Sequence, residues 1–527
     1  MSVDYSGSNI LLINPSVNPR TQNKMLNSVI RSMFPLSLGY LAGYIEEQGY
    51  SKVSIVDEQI DKLNFDRLRT IIESMPSPRI VGITVLTATC GPAYQLAREV
   101  KAIDPDAIVA VGGVHVTVLP DEPFKTGVVD IAVLGEGEVT FGEIVQAVME
   151  GRDYRDIPGA SYLADDGAII QGQARELVKD LNTLPPLPYH MFAHNKDKYS
   201  GFYSIQTSRG CPYKCTFCSQ RSMTALSYRY VTTERAIQDI ETLIYDYDAD
   251  IIRLLDDNIA VNKKRMHRLL DQIIERGLHK KVSFEGPMRG DNIDEALLDK
   301  FKEANFTLVT FGLETASERL MEEMVKGETV EEVVAAIKMS AERGFSVGTT
   351  LIFGLPNETF KDRLQAIRLV NSLPLDSVRF NILTPYPGTP VYHQLALEGK
   401  VEEWSANEWA NFSVQYMWEG SDLPYVPKGT NKYALMATAM FANLYFYLKP
   451  SGFRKMITAK VAGGNVIKLP ENWLFSTFFF RLARLGLFLG RRFMAVLFLA
   501  ILTKTMDLFR SQDSGPTPLG SETVVKN

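Results

Sequence analysis

The stretch RGCPYKCTFCSQ, residues 209–220, places Cys211, Cys215 and Cys218 within eight residues. The 527-residue chain has only one other cysteine, Cys90. A disulfide would leave an odd thiol, and a tetrahedral zinc site needs four ligands, usually from paired Cys-x-x-Cys units. Short runs of cysteine thiolates hold iron–sulfur clusters, and three thiolates on a four-iron cluster leave one iron open for a small molecule. The alternative is three buried small residues in a loop, which the surrounding glycine and prolines disfavour.

The chain around this stretch alternates strand-like and helix-like segments from about residue 204 to 390. Each apolar run ends in polar, Gly or Pro residues, and a helical segment separates it from the next, which is typical of parallel strands with crossover helices. Six such units predict a partial or full β/α barrel, in which chemistry takes place at the C-terminal ends of the strands. The residues at the predicted strand ends include Asp256, Asp257, Asn258, Glu314, Gly354 and Pro385.

The cysteine spacing, with Phe217 before the third cysteine and TSRG before the first, resembles the radical S-adenosylmethionine (SAM) superfamily. The resemblance implies that Cys211, Cys215 and Cys218 hold a 4Fe–4S cluster whose open iron binds the amino and carboxylate groups of SAM. Reductive cleavage of SAM would then give a 5′-deoxyadenosyl radical. A flavodoxin- or ferredoxin-type reductant is the implied partner.

The strand-end residues extend the resemblance. Asp256, Asp257 and Asn258 match the family position that meets the SAM amino group, and Glu314 matches the position near the ribose. The segments IFGLP and TPYPGTP, which contain Gly354 and Pro385, match those around the adenine. Taken singly, each has another interpretation, because Asp-Asp-Asn after a strand is often a turn or a helix cap and a buried Glu often pairs with an Arg.

The N-terminal third predicts a doubly wound α/β domain of about 145 residues, in which ligands bind beyond the carboxyl ends of the strands. A Gly-x-Gly-x-x-Gly turn is absent from the first strand end, so a dinucleotide is not expected. Gly112 and Gly113 would let the backbone approach a bulky flat ligand, and tight turns without a ligand are the alternative. The candidate binding residues are Asn14, Thr87, Thr89, Gly112, Gly113, His115, Gly135, Glu136 and Glu138.

The segments VGGVHVTVLPDE and VLGEGE, ahead of a radical SAM barrel, resemble the cobalamin-binding domain of class B radical SAM enzymes. The resemblance implies cobalamin as a further cofactor. The Asp-x-His-x-x-Gly motif that supplies a histidine to cobalt in other cobalamin proteins is absent, and His115 is not in that context. We therefore expect no histidine on cobalt, and we expect Cys90 to be a packing residue at a helix start.

These patterns predict five segments along the chain. They are a Rossmann-like cobalamin-binding domain (8–148), a linker with a hairpin (149–200), a radical SAM barrel (201–400), a helical C-terminal region (401–512) and a disordered tail (513–527).

Composition narrows the cellular setting. A net charge of −6 and a pI near 5.7 argue against a nucleic-acid binder. Four cysteines form no disulfide framework, which indicates a reducing cytoplasm, and the N-terminus shows no secretory signal. The segment from Arg481 to Arg510 carries six Lys or Arg residues and one Asp. Such a basic, apolar helix predicts peripheral contact with the cytoplasmic face of a membrane, and a core or dimer helix is the alternative.

The resulting expectation is a cobalamin-dependent radical SAM enzyme. The reaction most often tied to this pairing is methylation of an unactivated carbon, and the basic, aromatic tail suggests a hydrophobic substrate such as a lipid, isoprenoid or tetrapyrrole. Relatives with these two domains also close rings or perform oxidations, so a cyclase or an oxidase is an alternative. A non-catalytic cobalamin or redox sensor is an alternative of another class.

Overall fold

The computed structural model describes residues 7–16, 32–164, 166–200, 203–401, 408–412, 422–448, 490–491 and 493–503. Its N-terminal domain is built on a seven-stranded sheet with the order β2-β1-β3-β4-β5-β6-β7. The first five strands are parallel, and the last two continue the sheet antiparallel. The strands are β1 (Ile10–Asn14), β2 (Val53–Asp57), β3 (Ile80–Thr84), β4 (Ile108–Gly112), β5 (Ile131–Val133), β6 (Ala160–Leu163) and β7 (Ile169–Gln171).

Helices cover both faces of this sheet. Alternate residues of β1 point to opposite faces, so Ile10 and Leu12 join one apolar cluster while Leu11 and Ile13 join another. The sheet therefore needs cover on both sides, as a doubly wound domain provides. The helices are α1 (Leu36–Glu47), α2 (Phe65–Ser74), α3 (Cys90–Ile103), α4 (Val114–Val118) and α5 (Gly137–Met149).

A six-stranded, all-parallel sheet forms the second domain, with the order β8-β9-β10-β11-β12-β13. Strand order follows chain order, as expected when each strand is followed by a crossover helix. Over the described residues this is a partial barrel. The strands are β8 (Ser204–Ile205), β9 (Ile251–Leu254), β10 (Ser283–Met288), β11 (Phe306–Glu314), β12 (Ser346–Phe353) and β13 (Ser377–Ile382).

The helices of the partial barrel lie between its strands and begin with local caps. The Thr329 hydroxyl accepts from the Glu332 N–H while the Glu332 carboxylate accepts from the Thr329 N–H, a capping box. The helices are α6 (Gln220–Thr224), α7 (Thr233–Tyr245), α8 (Lys263–Glu275), α9 (Glu295–Glu303), α10 (Glu318–Glu323), α11 (Val330–Glu342) and α12 (Phe360–Ser372).

Helices follow the barrel, and the longest of those described covers its last strand. These are α13 (Pro390–Leu397) and α14 (Lys432–Leu448), and residues 490–491 and 493–503 are also helical. Asn443 Nδ2 donates to the Phe380 carbonyl at 3.2 Å and the Tyr447 hydroxyl donates to the Val378 carbonyl at 2.9 Å. Two side chains of α14 thus satisfy backbone groups at the edge of β13, which protects that edge from pairing with other chains.

The predicted fold class is confirmed: a doubly wound domain precedes a parallel β/α barrel and a helical region. The hairpin expected in the linker forms, and its first strand, β6, pairs antiparallel with β5 and extends the N-terminal sheet. The domain boundaries stay predictions. The predicted tail 513–527 and most of the segment from Arg481 to Arg510 lie outside the described residues.

Within the described part of the chain, no helix combines the length and the apolar content needed to cross a bilayer.

Candidate functional site

The cluster loop, residues 210–218, leaves the barrel sheet through a glycine that no other residue can replace easily. Gly210 has a φ of 88°, and a Cβ there would lie 2.1 Å from the Ser227 carbonyl oxygen. Its N–H donates to the Asp257 carboxylate at 3.0 Å. These two constraints fix the backbone immediately before Cys211.

Asp256 anchors the segment just ahead of that glycine. Its buried carboxylate accepts from the Thr207 N–H at 2.7 Å, from the Thr207 hydroxyl at 2.7 Å and from the Ser208 hydroxyl at 2.5 Å. Burial raises the pKa of Asp256, against the opposing effect of these donors. The resemblance placed Asp256 at the SAM amino group, whereas in the structure its oxygens hold the chain that leads into the loop.

The three cysteine thiols are half-buried and lie on one short loop. The Cys218 N–H donates to the Cys215 carbonyl at 3.3 Å, and the Thr216 N–H donates to the Met324 carbonyl at 2.9 Å. Burial raises the pKa of each thiol, that of Cys218 to about 11. The fourth cysteine, Cys90, is buried in the N-terminal domain. The donor set therefore fits a three-thiolate 4Fe–4S cluster with one open iron.

An amide chain connects another strand end to the cluster loop. Buried Asn258 donates from Nδ2 to Asn292 Oδ1 at 2.7 Å, and Asn292 donates from Nδ2 to the Tyr213 hydroxyl oxygen at 2.6 Å. The Arg289 guanidinium lies over the Tyr213 ring, 3.6 Å from its centroid. Sequence reasoning missed Tyr213, Arg289 and Asn292, although the polar run RGDN directly after β10 was the available signal.

Glu314 ends β11 in a left-handed conformation, with a φ of 61°. A non-glycine residue there costs of order 1 kcal/mol, and such strain is concentrated at functional sites. Lys326 Nζ lies 3.7 Å from one Glu314 carboxylate oxygen, and the Thr350 hydroxyl donates to the other at 3.4 Å. Lys326 also pairs with buried Glu328 at 2.9 Å. Burial raises the pKa of Glu314. Lys326 and Glu328 follow no strand in the sequence, so the strand-end pattern gave no signal for them.

Gly354 and Pro385 follow the last two strands. The Gly354 N–H donates to the Glu358 carboxylate at 2.6 Å, and burial raises the pKa of that carboxyl to about 8. Pro385 is buried three residues beyond β13. Because all these strands are parallel, the predicted SAM residues lie together at the carboxyl end of the sheet. The cluster loop lies at the same end.

A cavity of about 360 Å³ lies between the two domains. Five glycines belong to its lining, and at two of them a Cβ would collide with packed neighbours. At Gly82 it would lie 2.7 Å from the Leu12 side chain, and at Gly113 it would lie 2.7 Å from the Val85 carbonyl oxygen. At its glycines the lining is bare backbone, which lets a broad, flat ligand such as cobalamin approach closely. The glycines in the lining are Gly82, Gly112, Gly113, Gly135 and Gly137.

The structure divides the predicted cobalamin residues into two groups. Gly112, Gly113, Gly135, Glu136 and Glu138 line the cavity. The remaining four, Asn14, Thr87, Thr89 and His115, are buried but do not belong to its lining.

Hydrogen bonds account for all four of these polar side chains. Asn14 donates to the Asp57 carboxylate at 2.9 Å, and the Thr89 hydroxyl donates to the Leu86 carbonyl at 3.2 Å. His115 is the least accessible of them, with no exposed surface. Its Nε2 lies 2.6 Å from a Glu122 carboxylate oxygen, and its Nδ1 lies 3.3 Å from the Thr87 hydroxyl.

The Glu122 pairing holds His115 within the N-terminal domain, outside the cavity lining. Trp409 Nε1 donates to the other Glu122 oxygen at 3.0 Å and packs edge-on against the imidazole. Cys90 lies in the same buried group. These contacts join the 408–412 segment to the N-terminal domain, so His115 has a packing role in this structure.

Comparison with known proteins agrees with this architecture. The Radical SAM superfamily model matches residues 205–370, and the B12 binding domain model matches residues 24–145. An uncharacterized methyltransferase of Pyrococcus horikoshii is 33% identical over 379 residues, which are 71% of this chain and 81% of that protein. The anaerobic magnesium-protoporphyrin IX monomethyl ester cyclase of Rubrivivax gelatinosus is 27% identical over 370 residues, 68% of this chain and 66% of the cyclase.

A solved structure shares the fold. The radical SAM methyltransferase TsrM from Kitasatospora setae, with cobalamin and a 4Fe–4S cluster bound, superposes with a TM-score of 0.66 at 18% identity. The match covers 82% of this chain and 90% of TsrM.

Fold and site thus define a two-domain radical enzyme with a cobalamin-binding module. The chain belongs to the class B, cobalamin-binding radical SAM family. Its cofactors are a 4Fe–4S cluster, SAM and cobalamin. The chain is therefore an enzyme rather than a non-catalytic sensor. The individual residues that contact each cofactor stay predictions.

We expect the Cys215→Ala protein to lose most of its iron and all SAM cleavage, because two thiolates do not hold a 4Fe–4S cluster. Iron analysis, paramagnetic resonance of the reduced cluster and chromatography of 5′-deoxyadenosine measure the three consequences. The matched control is Cys90→Ala, which removes a thiol from the N-terminal domain and should leave the cluster intact. Formation of 5′-deoxyadenosine by Cys215→Ala would contradict the assignment.

We also expect no protein nitrogen on cobalt, because His115 does not line the cavity. Paramagnetic resonance of the cob(II)alamin form should show no nitrogen splitting from the protein. His115→Ala should leave the spectrum unchanged, as should His190→Ala, a control outside the N-terminal sheet. Nitrogen splitting that disappears only in His115→Ala would show that the assignment is wrong.

Proposed function

We propose that this enzyme transfers a methyl group to an unactivated carbon of a hydrophobic small molecule. The observation that carries the proposal is that residues on both sides of the cluster loop line the cavity. Gln206 and Arg209, just before Cys211, and Gln220 and Met223, just after Cys218, line the cavity. A group held in the cavity is therefore adjacent to a group held by the thiols.

When bound, SAM on the cluster supplies a 5′-deoxyadenosyl radical and cobalamin serves as the methyl carrier. The chain's own contribution is placement and exclusion of water. Asp256 and Asp257 anchor the cluster loop and so would fix the position of the cluster and of SAM. The glycines of the cavity would receive cobalamin, and its apolar lining residues, which include Leu36, Leu41 and Phe141, limit the access of water.

Similarity to the Pyrococcus horikoshii methyltransferase supports methyl transfer. The similarity to the Rubrivivax gelatinosus cyclase favours a second candidate, a ring-closing or oxidative reaction that uses the same cofactors. The substrate named for the cyclase is a tetrapyrrole, which supports a large, hydrophobic substrate class for this enzyme. A flavodoxin- or ferredoxin-type protein is the proposed reductant.

The two reactions are separated by incubating the enzyme anaerobically with SAM, cobalamin, a flavodoxin reducing system and a cell extract that supplies the substrate. With SAM deuterated in its methyl group, we expect a hydrophobic product that carries the deuterium label. A product that loses hydrogen or gains oxygen without the label would favour the second candidate and contradict methyl transfer. The Cys215→Ala protein is the control, and it should form neither product.

The described part of the tail supports a peripheral membrane contact at the cytoplasmic face. Met494, Phe498 and Ile501, at helical spacing, are 61%, 65% and 60% exposed, while Val496 on the opposite face is 1% exposed. Arg491 precedes them, and the sequence adds further basic residues on both sides. Each Lys or Arg near an anionic surface contributes about 1 kcal/mol to binding.

We expect the full-length protein to bind anionic liposomes at low salt and to be released at high salt. Met494→Ser/Phe498→Ser/Ile501→Ser should abolish binding, because it removes the exposed apolar face and leaves the packed Val496 face intact. Sedimentation with anionic and with neutral liposomes measures the effect, and cluster content confirms that the barrel is folded. Binding that is unchanged in the triple variant, or absent at low salt in the unmodified protein, would contradict a membrane role.

A further inference from the structure

Four charged side chains lie in the wall between the cavity and the cluster loop. Arg209 Nη2 donates to Glu138 Oε1 at 2.7 Å, and Arg209 Nη1 donates to Glu136 Oε1 at 3.3 Å. Arg229 binds both oxygens of Glu136, at 2.7 and 2.9 Å. All four side chains are between 8% and 12% exposed. We call Glu136, Glu138, Arg209 and Arg229 the interdomain ion cluster.

The two signs of charge come from different domains. Glu136 and Glu138 belong to the N-terminal domain, at the start of α5. Arg209 and Arg229 belong to two short strands, Ser208–Arg209 and Arg229–Tyr230, that pair antiparallel and enclose the cluster loop between them. The segment 210–228, which contains the cluster loop, is therefore tied at both of its ends to the N-terminal domain.

Arg209 is also one of the cavity-lining residues nearest in sequence to the cluster ligands. Its side chain lines the cavity with Glu136, Glu138 and Tyr40, and its guanidinium lies 5.0 Å from the centroid of the Tyr40 ring. Only Gly210 separates it from Cys211. Because both the preceding Ser208 and the following Gly210 are held by hydrogen bonds to aspartates, the backbone here has little freedom to absorb a shift of the Arg209 side chain.

We propose that Arg209 is a positioning residue that couples cobalamin binding in the cavity to assembly of the cluster on the loop. A filled cavity excludes water from the interdomain ion cluster, which strengthens its ion pairs and holds the loop in its folded geometry. By linkage, an assembled cluster must then favour cobalamin binding by the same factor. The proposal goes beyond the proposed function, since it applies to any reaction that uses these two cofactors.

Cobalamin binding with and without the cluster tests this coupling. The dissociation constant for cobalamin is measured by visible absorption on the cluster-loaded enzyme and on Cys211→Ala/Cys215→Ala/Cys218→Ala, which holds no cluster. We expect cobalamin to bind at least about fivefold more tightly to the cluster-loaded protein, within the usual range of coupling between sites. We call the ratio of the dissociation constant without the cluster to that with the cluster the coupling ratio. In Arg209→Met, the coupling ratio, measured with and without the three cysteine substitutions, should fall to about one.

Two further variants separate positioning from general stability. Arg235→Met is the matched control, because Arg235 forms an ion pair with Asp239 in which both side chains are 15% exposed, and neither lines the cavity. It should keep the coupling ratio of the unmodified protein. Glu138→Gln removes the closest partner of Arg209 with little change of shape, so it tests the same pair if Arg209→Met fails to fold, and it should also lower the ratio.

Each of three results would overturn the proposal, and the first two concern the coupling itself. One is equal affinity for cobalamin with and without the cluster in the unmodified protein. The other is an unchanged coupling ratio in the folded Arg209→Met or Glu138→Gln protein, with folding checked by circular dichroism. A fall of the ratio in Arg235→Met as well would also overturn it, because the effect would then not depend on the cavity wall.

Discussion

The carboxylate of Asp256 is the constraint on which the site depends. It is buried after β9, and its three donors all belong to Thr207 and Ser208, just after β8. A buried carboxylate is costly without donors, and a hydrogen bond to a charged group contributes about 1.5–3 kcal/mol. The arrangement therefore requires the two strand ends to meet at this point. Gly210 and Cys211 follow at once, so the position of the first thiol is set by the sheet rather than by the loop.

The parallel strands of the two sheets meet through their carboxyl ends. The cavity is lined by Thr84, Gly112 and Val133, the last residues of β3, β4 and β5, and on the barrel side by residues that flank the cluster loop. Ligand sites in open sheets and in barrels both lie at these ends. Joining two such ends places the two candidate cofactor sites side by side without any long connecting element, and the interdomain ion cluster links the two domains there.

The fold, which the structure confirms, and the cysteine site, which stays a prediction, are both local patterns in the sequence. Strand and helix periodicity reads directly from neighbouring residues, as does a run of three cysteines. Strand ends are a coarser guide, because they give the position of a residue but not the direction of its side chain. The sequence therefore groups His115 and Asn14 with Gly113, although only Gly113 lines the cavity. The ion pairs were missed for another reason. Arg209 and Glu138 are 71 residues apart, and one sequence gives no signal of such a pairing.

Burial of the three thiols and the cations beside Cys215 act in opposite directions on the pKa values of the thiols. Burial raises the pKa values of all three thiols and so opposes loss of their protons, a cost that bound iron would compensate. Lys326 and Arg289 act in the opposite direction and lower the pKa of Cys215. Neither cation is free, because Glu328 and Asp291 pair with them. The cations beside Cys215 are thus already compensated by carboxylates of the protein.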